Sequence, residues 1–176
     1  MRKFWIAGTL IAMLVFGWYL GSPYLAMNDL RAAAESGDQA ELENSIDFPQ
    51  VRESLKSEFR ASLAAKIVNS EEQDGLEALG SMFAMGMVDT MVDGLVTPEG
   101  MSALITRGRL NREEADGEQA EGFSDQDWSL EREGFSSFRA TPSLKSGETP
   151  PTLIFERDGL SWRLTAIDMP ADVLGN

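Results

Sequence analysis

The chain contains no cysteine and no histidine. Lacking cysteine, it has no disulfide, no thiolate nucleophile, no thiolate zinc site and no N-terminal cysteine to carry lipid. Lacking histidine, it also loses the other usual transition-metal ligand and every catalytic dyad or triad built on imidazole. Only carboxylate chemistry and hydroxyl–lysine pairs survive these exclusions, so the expectation is a non-catalytic protein without cofactor or metal. Basic charge is scarce as well: 15 Lys and Arg stand against 29 Asp and Glu, a net charge of -14. Such a field repels a phosphate backbone, which excludes nucleic acid as a partner and disfavours anionic lipid headgroups.

What is present begins with a basic head, Arg2 and Lys3, and an uncharged run from Phe4 to Leu20. That run sits at the lower edge of the length that crosses a bilayer as a helix. It reads either as a cleaved signal or as an uncleaved anchor. Signal cleavage wants small residues just before the cut, and neither Tyr19-Leu20-Gly21 nor Leu20-Gly21-Ser22, with Pro23 directly after, supplies them well. The anchor is therefore preferred, as residues 1–21, with Trp18, Tyr19 and Tyr24 as interfacial aromatics. Arg2 and Lys3 would hold the N-terminus in the cytoplasm and face the rest outward. The expected location is the inner membrane, single-pass, with a periplasmic domain; release to the periplasm after cleavage is the alternative.

The chain of 176 residues, 43% apolar overall, supports one modest core and hence, after the anchor, one domain over residues 22–176. Residues 22–36 read as a helix with Pro23 in its first turn and Gly37 as its C-terminal stop. Asp38 with Glu41, and Asp47 with Gln50, form two capping boxes that open helices over about 39–46 and 48–69. On the latter, Val51, Leu55, Phe59, Leu63 and Ile67 make an apolar stripe, beside a basic row of Arg52, Lys56 and Arg60. That row is either a docking strip for an acidic partner or a set of cations paired with neighbouring carboxylates.

Residues 75–96 read as an amphipathic helix with Met82, Met85, Met87 and Met91. Leu76, Leu79, Phe83, Met87, Met91 and Leu95 lie near one face, which is either core or an adaptable wall for a ligand or partner. Asp89 and Asp93 share a face of the same helix. Thr97-Pro98-Glu99 starts a further helix expected to end at Arg107–Arg109, before a mobile acidic loop over 111–127. Its spacing does not match a calcium loop. Beyond it the period becomes that of strands: 128–133, 135–141, 152–157 and 160–167. A two-residue Asp158-Gly159 turn would set Phe155 opposite Trp162 and Leu153 opposite Leu164. Glu156, Ser161, Arg163 and Thr165 would then fall mostly on the other face.

Four stretches, SPYLAMNDLRAAAESGD at 22–38, IDFPQVRESLK at 46–56, LVTPEGMSALI at 95–105 and LIFERDGLSWRLTAIDMP at 153–170, resemble the DUF2939 family, bacterial envelope proteins of unknown function. The resemblance implies an anchored or exported domain with no established activity, and it carries over no catalytic residue. The acidic insert before Trp128 is longer than that pattern leads one to expect.

The expected fold is α+β: N-terminal helices packed on a C-terminal four-stranded antiparallel sheet, loosely NTF2-like, after a transmembrane helix. The expected function is a membrane-anchored module that binds an envelope protein or component without catalysis. Its candidate surface is Phe83, Met87, Met91, Leu95, Arg52, Lys56 and Arg60. The alternative is an exported domain holding a small apolar ligand between the sheet and the 76–96 helix. A carboxylate hydrolase using Asp89 and Asp93 is the least favoured reading.

Overall fold

The computed structural model describes residues 2–69, 86–114, 127–143 and 149–170. Helices α1 (Arg2–Ser36), α2 (Gln39–Ser45) and α3 (Phe48–Asn69) lead to a helix α4, described over 86–95, and to α5 (Pro98–Glu114). Strands β1 (Trp128–Glu133), β2 (Ser137–Pro142), β3 (Thr152–Asp158) and β4 (Ser161–Asp168) follow. They form one antiparallel sheet in the order β1-β2-β3-β4, so the architecture is α+β with the helices first.

The helix boundaries come from local chemistry. Gly37 has a φ of 66°, and its N–H caps the Ala33 carbonyl at 2.9 Å. The Asp38 carboxylate accepts from the N–H groups of Ala40 and Glu41 at 2.9 and 3.1 Å. Glu41 does not reach back to the Asp38 N–H as a full capping box requires. It accepts from the Ser36 hydroxyl, which in turn accepts from the Asp38 N–H. Likewise Asp47 caps the Gln50 N–H, while its own N–H donates to the Leu164 carbonyl at 2.8 Å. Beside that bond Ile46 bridges Leu164 in parallel, so the α2–α3 link covers the outer edge of β4.

Alternation along the strands sets the core. Phe138, Ala140, Leu153, Phe155, Trp162 and Leu164 point to one face and are buried under Met27, Leu30 and Ala33 of α1, Leu42 of α2 and Val51 of α3. Phe138 stacks on Phe155 at 4.5 Å and meets Trp162 edge-on at 5.0 Å.

Two expectations about the sheet are corrected. The β3–β4 turn is Gly159-Leu160, flanked by the Asp158–Ser161 pair, rather than Asp158-Gly159. Only Gly159 has positive φ, the sign pattern of a II′ turn, and partners move two positions along: Phe155 faces Leu164, and Arg157 faces Trp162. A shift of two preserves the faces. Thr165 is the other correction. A bulge between the Phe155–Leu164 and Ile154–Ala166 pairs leaves it over, and it is buried rather than solvent-facing.

The helix expected to stop at Arg107–Arg109 continues to Glu114. Gly108 in a helix interior costs only about 1 kcal/mol against alanine, and the arginines, leucine and glutamates around it are good helix formers.

Candidate functional site

The segments 1–21 and 22–36, read from sequence as separate elements, are joined in one helix, Arg2–Ser36, of about 50 Å. The boundary at residue 21 falls inside it. Its first half projects apolar side chains into open space, Ile6, Leu10, Ile11, Leu14 and Phe16 all being more than half exposed. Its second half supplies core. Gly8–Ser36 contains a stretch long and apolar enough to cross a membrane, a property it shares with signal sequences.

Pro23 lies inside this helix and has no N–H, which leaves the Tyr19 carbonyl without its helical donor. Two side chains take that role. The Ser22 hydroxyl donates to the Tyr19 oxygen at 2.9 Å, and the Arg132 guanidinium on β1 donates to it as well. The hydroxyl of Ser22, a residue only 3% exposed, also accepts from the Trp162 indole N–H at 2.9 Å and from Arg157 at 3.4 Å. A serine hydroxyl has one proton and two lone pairs, and all three are used here. Ser22 thus ties the helix to β3 and β4 at the point where the proline opens it.

Aromatic rings complete the junction. The Arg132 guanidinium lies 4.3 Å above the Tyr19 ring, and that of Arg157 lies 4.2 Å above Trp162 and 5.1 Å above Tyr19. The ring faces attract the cations where oxygen acceptors are few. The expected interfacial aromatics Trp18 and Tyr19 therefore bind the sheet end of the domain, whereas Tyr24 points outward. The register of β1 and β3 puts both arginines on the core face, at the end nearest the turns. No sequence pattern marked either arginine or Ser22. The signal that could have found them is Ser22-Pro23 inside an unbroken apolar-to-amphipathic run, where the freed carbonyl demands a donor.

Beside the junction, a cleft of about 610 Å³ opens between α1, α2 and the β3–β4 turn. Ser22 and Trp162 belong to its lining, along with Asp29, Glu41 and the apolar Trp18 and Leu160. It is not the expected space between the sheet and the 76–96 helix.

On the candidate surface of α3 and α4, two cations of the basic row are paired with carboxylates, as one of its two readings expects. Lys56 pairs with Asp93 at 2.6 Å and Arg60 with Asp89 at 2.7 Å, so these cations hold α4 against α3. The neighbouring carboxylate holds the Arg60 guanidinium above its usual range. Arg52 is half-buried on the same helix. The pairs also orient α4. Val92 is buried and Val88 and Val96 are half-buried, with the Asp89–Asp93 row on one flank and the Met87–Met91 row on the other. Turning the aspartates toward α3 turns the methionines away. Met87 is 76% exposed, Met91 64% and Leu95 40%, so the core reading of this face fails over its described residues. Phe83 lies outside the described residues, as do 115–126 of the acidic loop. Among the described residues no three carboxylates converge as metal ligands would.

Against known proteins, neither the curated proteins nor the solved structures contain a match to this chain. A family model does match, over residues 12–104, from the second half of the apolar run to the middle of α5. It takes in the resembling stretches at 22–38 and 46–56 and nearly all of 95–105, and it ends before the sheet. The chain belongs to the DUF2939 family, whose description is a protein of unknown function.

Proposed function

We propose that this protein is a single-pass inner-membrane protein of the bacterial envelope. Its N-terminus is cytoplasmic, and its periplasmic domain binds a partner protein or envelope component without catalysis. The observation that carries the reading is the continuity of α1, whose apolar half stands free while the same helix supplies Met27, Leu30 and Ala33 to the core. Trp18 and Tyr19 belong to the apolar half yet pack on Arg132 and Arg157 of the sheet, contacts that cleavage near residue 21 would discard. The binding surface is the exposed apolar face of α4, Met87, Met91 and Leu95. Unbranched methionines adapt to varied partners.

The test is intact mass and membrane fractionation of the native full chain with a C-terminal tag, followed by photo-crosslinking from position 87 or 91. Full-length mass in the membrane fraction, with a discrete adduct from Met87 but none from exposed Glu99, is expected. A shortened soluble species overturns the anchor, and turnover abolished by one carboxylate substitution overturns the non-catalytic reading.

The cleft beside Ser22 favours a second reading, an exported small-ligand domain. Soluble, cleaved protein that still binds a ligand there would support it. The hydrolase reading is weakest, because Asp89 and Asp93 each already engage a cation of α3.

A further inference from the structure

The four strands run as a simple meander, which brings the β1–β2 and β3–β4 turns to the same end of the sheet. Turn tips favour glycine, asparagine, aspartate and serine. Here each tip carries a large apolar side chain instead: Phe135 is 82% exposed and Leu160 76%. Single exposed apolar residues are ordinary on a protein surface. These two are set apart by their common level along α1.

Phe135 meets Tyr19, with ring centroids 6.2 Å apart and its carbonyl accepting from the Tyr19 hydroxyl at 3.4 Å. Leu160 lines the same cleft as Trp18, and Arg157, at the foot of its turn, holds its guanidinium 5.9 Å over the Trp18 ring. Trp18 and Tyr19 close the uncharged run Phe4–Leu20, which at 1.5 Å per residue is about 26 Å long. A bilayer's hydrocarbon core is about 30 Å thick, so a helix spanning it on this run holds Trp18 and Tyr19 at the outer rim of the hydrocarbon. Whatever touches those two residues shares their depth. Near the tips, Glu133 pairs with Arg139 at 3.1 Å and Asp158 lies 3.8 Å from Arg163, and the guanidinium groups of Arg132 and Arg157 lie over the Tyr19 and Trp162 rings.

We propose that Phe135 and Leu160 insert into the outer interfacial layer of the bilayer that holds α1, seating the domain on the membrane at three points rather than one. This rests on the anchored reading above. Their partner is the apolar rim of the lipid itself.

The chain's lack of cysteine gives a direct test. Single cysteines at Phe135→Cys, Leu160→Cys, Leu14→Cys and Ser143→Cys, the last near the opposite end of the sheet, are labelled with an environment-sensitive fluorophore. Each full-length variant is reconstituted into phosphatidylcholine vesicles and exposed to aqueous iodide or to bromine-bearing acyl chains. Labels at 135 and 160 are expected to be quenched by the brominated lipid and several-fold less by iodide than the label at 143. Tips as open to iodide as 143, with position 14 shielded in lipid, would overturn the proposal and leave the anchor standing. A label at 14 open to iodide would overturn both. Shielding of the tips that vanishes when the protein is diluted in lipid would assign them to a second copy of the chain, and would also overturn it.

Discussion

Ser22→Ala removes one oxygen atom and tests the junction most directly. The methyl group left behind accepts nothing, so the buried Trp162 indole N–H, which now donates at 2.9 Å, loses its acceptor. An unmade bond at a buried donor costs about 1–3 kcal/mol. The Tyr19 carbonyl keeps Arg132 as a donor, and the 3.4 Å contact with Arg157 is long, so neither adds much. For a chain of this size each kcal/mol lowers the melting temperature by about 2–4 °C, giving a fall of about 2–12 °C. Thermal unfolding of the full chain in detergent, followed by near-ultraviolet circular dichroism, measures it. Trp162→Phe deletes the donor, and in that background Ser22→Ala should cost at least about 1 kcal/mol less. A Ser22→Ala change within about 0.5 kcal/mol of wild type, or strict additivity in the cycle, refutes the bond as described.

Three other outcomes follow from the packing. Gly100 lies in the first turn of α5, where a Cβ would stand 2.5 Å from the Leu95 carbonyl oxygen and 2.9 Å from that of Gly94. Gly100→Ala should therefore destabilise the protein by about 1–3 kcal/mol, although helix propensity alone favours alanine by about 1; urea unfolding decides the sign. Burial pushes the Glu58 carboxyl above its usual range, with the Met169 N–H pulling it down and Asp168 adding to the rise. The folded state then holds that proton more tightly than the unfolded chain, so the group's contribution is full below the unfolded value and is lost as pH rises through the folded one. Glu58→Gln should gain on wild type as pH increases across that window, read from urea midpoints. Exchanging the charges of Lys56 and Asp93 should restore most of what either single reversal loses, with a coupling of about 0.2–1 kcal/mol in a double-mutant cycle at low salt.

Much of the fold was legible because its signals are short-range. Asp38, Asp47 and Thr97 name the starts of helices from within four residues, and Gly37 names an end, so α2, α3 and the start of α5 fall where the sequence puts them. Alternating burial similarly marked Phe155, Trp162, Leu153 and Leu164 as one face. The family resemblance, too, rested on local stretches of α1, α3, the α4–α5 turn and the β3–β4 hairpin, the last of which lies beyond the matched residues 12–104. The strand register was less legible. Asp158-Gly159 and Gly159-Leu160 are both chemically acceptable turns; the sheet takes the second, together with a bulge at Thr165 and an edge pairing of Ile46 with Leu164 that lie outside the turn's own sequence.

The candidate site was legible only in outline. Met87 and Met91 form an apolar row on α4, but so do Val88, Val92 and Val96, and helical periodicity cannot say which row turns inward. Lys56 and Arg60, on a different helix, decided it by drawing Asp93 and Asp89 toward α3.

The sequence by itself thus determined the missing chemistries, the acidic field, the apolar N-terminal run, the helix starts and the buried faces of the strands. Each depends on residue type or on spacing within a few positions. Only the tertiary structure decided that α1 passes unbroken through Pro23, that Ser22, Arg132 and Arg157 converge on Tyr19 and Trp162, and that Phe135 and Leu160 share one end of the sheet. The junction joins groups more than 100 residues apart, where a freed carbonyl or an aromatic ring takes whichever partner the packed chain brings within reach.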